Sequence, residues 1–144
     1  MIYNIKPLLR ELSDNEIRKF TTAISYGKCM EFSRQMTSLA KTLSKIKEPL
    51  IIEHPIDILG IKKGKYTVQR FIYDYFLKCW YNPKQDDAYA DLVNQDWYHP
   101  FYASHHSKTE IQSWFKKAGL NKVVCIQPKG WEYSGFFVSG RKNN

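Results

Sequence analysis

Between Ser107 and Ser139 the chain specifies a helix and two strands and leaves little room for anything else. Ser107 and Glu110 have the spacing of a capping box: a hydroxyl takes an orphan amide at a helix start, and a carboxylate three residues on reaches back. Ile111, Trp114 and Phe115 give that helix one face to bury, and Gly119 is the residue that can turn left-handed at its end. Val123-Val124-Cys125-Ile126 is a compact β-branched strand. After the turn signal Pro128-Lys129-Gly130, Tyr133 to Ser139 reads as its antiparallel partner.

The preceding residues are mostly helical in rhythm. Met1 to Ile5 suits the end of a strand. Ser13 and Glu16 repeat the capping-box spacing, and Ile17, Phe20 and Ile24 then predict a helix over 14–26 that Gly27 breaks or bends. Met30, Phe32, Met36, Leu39, Leu43 and Ile46 predict a second helix ending before Pro49. Pro49 to Pro55 is a connector, with a brief helical turn at 56–59 before Gly60. From Thr67 to Tyr81, Val68, Phe71, Ile72, Tyr75, Phe76, Cys79 and Trp80 keep a 3.6-residue period, the strongest helical pattern in the chain. Asn82-Pro83 stops it, and 86–94 supplies a further short helix. The expected class is α+β, mostly α-helical, with a C-terminal helix followed by an antiparallel β-hairpin. Residues 1–95 read as a helical region and 96–144 as the C-terminal loop, capped helix and hairpin, together one compact unit.

At 144 residues with 43% hydrophobic and 15% aromatic content, the chain can build one core. A net charge of +8 favours an anionic partner without choosing among nucleic acid, membrane surface or an acidic substrate. Cys29, Cys79 and Cys125 are widely spaced and read as free thiols of a reducing compartment. Lys6 and Arg10 interrupt any apolar leader, and no apolar run approaches the roughly 20 residues of a membrane span. A soluble, cytoplasmic protein is expected.

The densest chemistry lies just before the capped helix, in Asp96-Trp97-Tyr98-His99-Pro100-Phe101-Tyr102 and His105-His106. Imidazole titrates near neutral pH, so His106 can serve as a polar contact or general base, or as a structural histidine beside the Ser107 cap. Asp96 can orient a histidine or bind a hydroxyl, or be an ordinary helix-terminal carboxylate. Tyr98, Tyr102, Trp131 and Tyr133 suit either an aromatic pocket, with His105 beside it, or simple packing. His99, His105 and His106 with Asp96 match no metal-ligand spacing, so no metal is expected.

In order and spacing these residues resemble the C-terminal part of class I S-adenosylmethionine-dependent methyltransferases. The matching positions are Asp96-Trp97-Tyr98, Pro100, Tyr102, His106, Glu110, then Trp114-Phe115-Lys116-Lys117-Ala118-Gly119-Leu120, and finally the glycine-bearing strand from Gly135 to Arg141. The resemblance implies a partial Rossmann-like architecture in which Met1 to Asn4 end a fifth strand and residues 6–95 form a helical insertion. It implies a substrate-side wall with His106 as catalytic residue and Asp96, Tyr98, Tyr102, His105, Trp131 and Tyr133 around the substrate. The family holds its cofactor in a glycine-rich turn after the first strand. Here Gly27, Gly60, Gly64, Gly119, Gly130, Gly135 and Gly140 form no Gly-x-Gly, and none joins a strand to a helix. The implied function is therefore the truncated, substrate-side portion of a methyltransferase, with no S-adenosylmethionine bound by this chain alone. It would be inactive by itself, or completed by an N-terminal methyltransferase half or by homo-oligomerisation. The alternative is a stand-alone basic helical module binding a polyanion or a protein partner. Nucleic acid ranks lower, because neither a stacked-aromatic RNA signature nor a recognition-helix pattern is present.

Overall fold

The computed structural model describes residues 2–3, 5–129 and 135–142. Its chain contacts form two compact units, and the first is discontinuous in sequence. Met1–Lys6 joins Ala103–Asn144, while Pro7–Tyr102 forms the second. The sequence instead places a boundary at 95/96 within one unit. The observed division falls after α4 (Asp87–Tyr98) and the short exposed stretch that follows it. That helix runs through Asp96, past the expected stop at Asn94, so Asp96 lies in a last helical turn and not in a loop.

In the first unit, β1 (Ile2–Tyr3), α5 (Lys108–Lys117), β4 (Leu120–Ile126) and β5 (Gly135–Lys142) build a three-stranded sheet with one helix. The strand order is β1-β5-β4, with both pairings antiparallel. Ser107 caps α5 as its spacing requires, accepting the Glu110 amide at 3.1 Å. Gly119 takes φ +74°, where a side chain would be strained. The ladder slips by one residue between Asn121 and Val124, and Lys122 sits there at φ 50°. Gly140 faces α5. A Cβ on it would lie 3.1 Å from the Phe115 ring and 3.2 Å from Leu120 Cβ, so helix and sheet approach closely there. Ile111 and Phe136 are fully buried. By alternation, Val124, Ile126 and Phe137 lie on the opposite, exposed face.

The second unit holds α1 (Leu8–Thr21), α2 (Tyr26–Ser44), β2 (Leu50–Ile52), a 3-10 turn at Asp57–Leu59, β3 (Gly64–Tyr66), α3 (Val68–Tyr75) and α4. Three sequence expectations change here. Ser13 is not a cap: α1 already begins behind Pro7, whose φ of −55° presets the first turn. The Ser13 hydroxyl faces the carbonyl oxygens of Arg10, at 3.1 Å, and Phe76. Gly27 does not break a helix but lies in the first turn of α2, which Ser25 caps.

The aromatic run from 67 to 81 supports only eight helical residues. Beyond Tyr75 the backbone finds other partners. Gln69 donates to the Cys79 carbonyl at 3.0 Å, the Tyr98 hydroxyl to that of Lys78 at 2.8 Å, and Asn94 bonds both the N–H and the C=O of Trp80. Side chains satisfy the polar groups a helix would have satisfied internally, so periodicity alone does not prolong α3. α2 and α4 form the most extensive helix pair, enclosing Cys29, Met36, Ala40, Cys79 and Tyr98. The carbonyl end of α4 is held by α1: Arg18 donates to Trp97 O at 2.5 Å and Thr21 to Tyr98 O at 2.7 Å. The chain is α+β with about half its residues helical and two small antiparallel sheets.

Candidate functional site

The loop entering α5 gathers a hydroxyl, an imidazole, a carboxylate and an indole. Ser107 fixes the helix start, so residues 106 and 110 fall one turn apart on the same side. His106 Nδ1 lies 3.2 Å from Glu110 Oε2. This is an ion-pair distance rather than an aligned hydrogen bond, since the buried Nδ1 has no partner of hydrogen-bonding geometry. At the other end of the ring, Nε2 is 2.8 Å from Ser104 Oγ, the donor being set by the tautomer. The edge of Trp114 packs on the imidazole with centroids 4.7 Å apart. Glu110 favours a proton on Nδ1, which leaves Nε2 as the acceptor toward Ser104. An imidazole oriented this way can take a proton from an O–H at Nε2.

The remaining residues named from the sequence are distributed differently. His105 is half-buried beside His106. Asp96, Tyr98 and Tyr102 belong to the helical unit. Asp96 is exposed near the carbonyl end of α4. Tyr98 is a core residue: it has no exposed surface, donates to Lys78 O and packs edge-on to Phe32 at 5.2 Å. Burial pushes its phenol far above the ordinary tyrosine range, so it remains a protonated donor. Tyr102 is 90% exposed and packs edge-on with Phe101, itself exposed. Trp131 and Tyr133 lie outside the described residues. Among the described residues, no group of three or more His, Cys, Asp or Glu is placed to hold a metal ion.

Two features carry no single-residue sequence signal. Ser104 becomes notable only once its oxygen is seen at the His106 ring. The other is a buried cation cluster in the helical unit. Lys78 is only 5% exposed, with its ammonium 4.7 Å from the Trp97 ring centre and 3.2 Å from the Tyr73 hydroxyl. Arg10 lies over the same two rings, at 5.3 and 5.1 Å, and pairs through Nε with Asp14 Oδ2 at 2.9 Å. The aromatic faces that could attract an external cation here already hold the chain's own. Separately, an open depression of about 490 Å³ beside the β4 bulge is lined by Lys122, Val124, Ser139, Gly140 and Arg141. Compared with known proteins, the chain matches no family model, no curated protein and no solved structure.

Proposed function

We propose that this chain is the substrate-side, C-terminal portion of an S-adenosylmethionine-dependent methyltransferase, with the cofactor wall supplied by residues outside this sequence. The observation that carries the reading is the discontinuous unit. A strand end at Ile2–Tyr3 pairs antiparallel with the last strand of the hairpin, and the helical unit Pro7–Tyr102 is inserted between them. A sheet interrupted by a helical insertion and closed by a capped helix and hairpin is what the resemblance calls for. The residues present do not fit the cofactor. Among the described residues no glycine turn joins a strand to a helix, and the left-handed glycines there, Gly60 and Gly119, follow a 3-10 turn and α5. No step is therefore assigned to the cofactor on this chain.

What the chain contributes is acceptor handling. His106 stands ready to accept a proton from a substrate hydroxyl in the place that Ser104 Oγ takes, with the Glu110 carboxylate 3.2 Å from Nδ1 biasing the ring proton to that side. Calorimetric titration of the isolated chain with S-adenosylmethionine should give no binding heat, and micromolar binding would overturn the reading. Coexpression with the sequence encoded directly upstream should give a complex that transfers a labelled methyl group. His106→Asn should lower its turnover while leaving the complex assembled.

A further inference from the structure

The arm between α2 and α3 presents isoleucines to solvent in a pattern the core does not explain. β2 and β3 pair antiparallel, and the ladder resumes as a two-way bridge between Ile56 and Ile61, so residues 50–66 form a narrow hairpin with the 3-10 turn at its tip. One face is anchored. Ile61 is buried, and Tyr66 packs edge-on to Tyr75, its hydroxyl donating to the Lys62 carbonyl at 2.8 Å. At the tip, Leu59 is half-buried and Gly60 lies beside Pro7 at the start of α1, but Ile58 is 85% exposed and Ile56 is also open.

Ile51, 67% exposed, stands directly opposite Lys65 on the outward face. Lys63 lies in the bend just before β3. Together with Ile51, Glu53 and His54 it borders an open depression of about 420 Å³. Lys45, Lys47 and Lys62 are exposed nearby in sequence, giving residues 45–66 five lysines against Glu48, Glu53 and Asp57.

Single exposed isoleucines are ordinary. An apolar tip one residue wide, backed by lysines on a hairpin rooted in the core, is different. A flat protein surface leaves such a tip little to bury against. A nucleic acid would call for several aromatic faces to stack on; of the hairpin's two rings, Tyr66 is engaged by Phe71 and Tyr75, which leaves the single imidazole of His54. An anionic bilayer surface supplies both complements, with headgroup charge for the lysines and an acyl boundary for Ile58. We propose that this arm is a peripheral membrane-docking element for anionic phospholipid surfaces, with Ile58 as the inserted residue and Lys63 and Lys65 as the headgroup contacts. Asp57 opposes insertion and limits the contact to a reversible one.

The test is co-sedimentation of the full chain with sucrose-loaded vesicles. Phosphatidylcholine vesicles containing phosphatidylserine should pellet the protein, less so as salt rises, and phosphatidylcholine alone should not. Ile58→Asn should lower partitioning about tenfold, the loss expected for a buried isoleucine side chain. Lys63→Glu with Lys65→Glu should abolish it, while Lys116→Glu with Lys117→Glu should retain it. Circular dichroism confirms folding of each variant, and Ile58→Trp should shift its emission to the blue on vesicles. Absence of pelleting overturns the proposal. So does equal partitioning of Ile58→Asn, or an equal loss from the Lys116/Lys117 pair, which would mean diffuse charge attraction. Salt-sensitive binding of RNA without vesicle binding overturns it as well.

Discussion

Asn94 offers the sharpest test of how the helical unit is held together. It has no exposed surface, and its amide makes three bonds: Oδ1 accepts from Trp80 N at 2.8 Å, and Nδ2 donates to Trp80 O at 3.0 Å and to Thr37 Oγ1 at 3.1 Å. The first two replace the helical bonds that α3 gives up. Asn94→Ala removes all three, at about 1 kcal/mol each, and leaves the Trp80 amide and carbonyl without partners in a partly buried place, adding about 1–2 kcal/mol. The expected loss is about 4 kcal/mol, a large share of the ~5–15 kcal/mol that stabilises a typical domain. With a urea dependence of about 2 kcal/mol per molar, the midpoint followed by far-UV circular dichroism should fall by about 2 M. Asn82→Ala is the control. Its amide also bonds locally, to Lys84 N at 3.0 Å and Gln85 at 3.3 Å, but in an exposed turn, and should cost below about 1 kcal/mol. If Asn94→Ala costs no more than Asn82→Ala, side-chain bonding to the backbone beyond Tyr75 does not end α3.

Alkali should destabilise the fold through Cys79. Burial raises its thiol from 9.0 to about 11, with Arg10 and Lys78 pulling the other way. The unfolded thiol therefore ionises first, and the stability present below pH 9 should be lost progressively towards pH 11, by about 2–3 kcal/mol, in pH-dependent urea melts. Cys79→Ala should flatten that segment of the profile. Asp14→Ala should cost about 3–5 kcal/mol, because it strips the buried Arg10 guanidinium of its carboxylate, and a loss under 1 kcal/mol in the same melts would contradict a buried pair. Glu110→Gln should leave stability within about 0.5 kcal/mol, since its carboxylate is 42% exposed, yet shift the His106 tautomer populations read from imidazole ¹⁵N shifts. An unchanged ring spectrum would remove Glu110 from the orienting role.

Local chemistry was legible wherever one residue's own backbone preference decides the outcome. The Ser107 cap and the left-handed Gly119 follow the sequence because each depends on neighbours a few positions away, and β4 pairs with β5, the next strand-forming run in the chain. Where the structure departs from local spacing, other partners decide: distant ones for Ser13 and the 67–81 run, and for Gly27 a cap two residues ahead of it. Phe76 reaches the Ser13 hydroxyl, Ser25 starts α2 ahead of Gly27, and Asn94 and Tyr98 take over the backbone after Tyr75. The same holds for the candidate site. His106 stands out as a titratable group before a cap, but its hydroxyl and carboxylate neighbours emerge only with the loop's path. Tyr98 looked equally suitable for a pocket, and its hydroxyl proves committed to holding the chain at Lys78.

That commitment bears on where the proposed acceptor chemistry can reside. The aromatic-acidic segment from Asp96 to Tyr102 reads as continuous with His105 and His106, yet its buried members serve the helical unit. Tyr98 closes the core, Trp97 carries Lys78 and Arg10, and the Trp97 and Tyr98 carbonyls are taken by Arg18 and Thr21. Substituting those residues would damage the fold before it reported on a substrate. Ser104, His106 and Glu110 are different, because their polar atoms meet one another and none of these contacts anchors a core helix. Loss of turnover without loss of stability is therefore the signature to seek at His106. The same loss at Tyr98 would say nothing about catalysis.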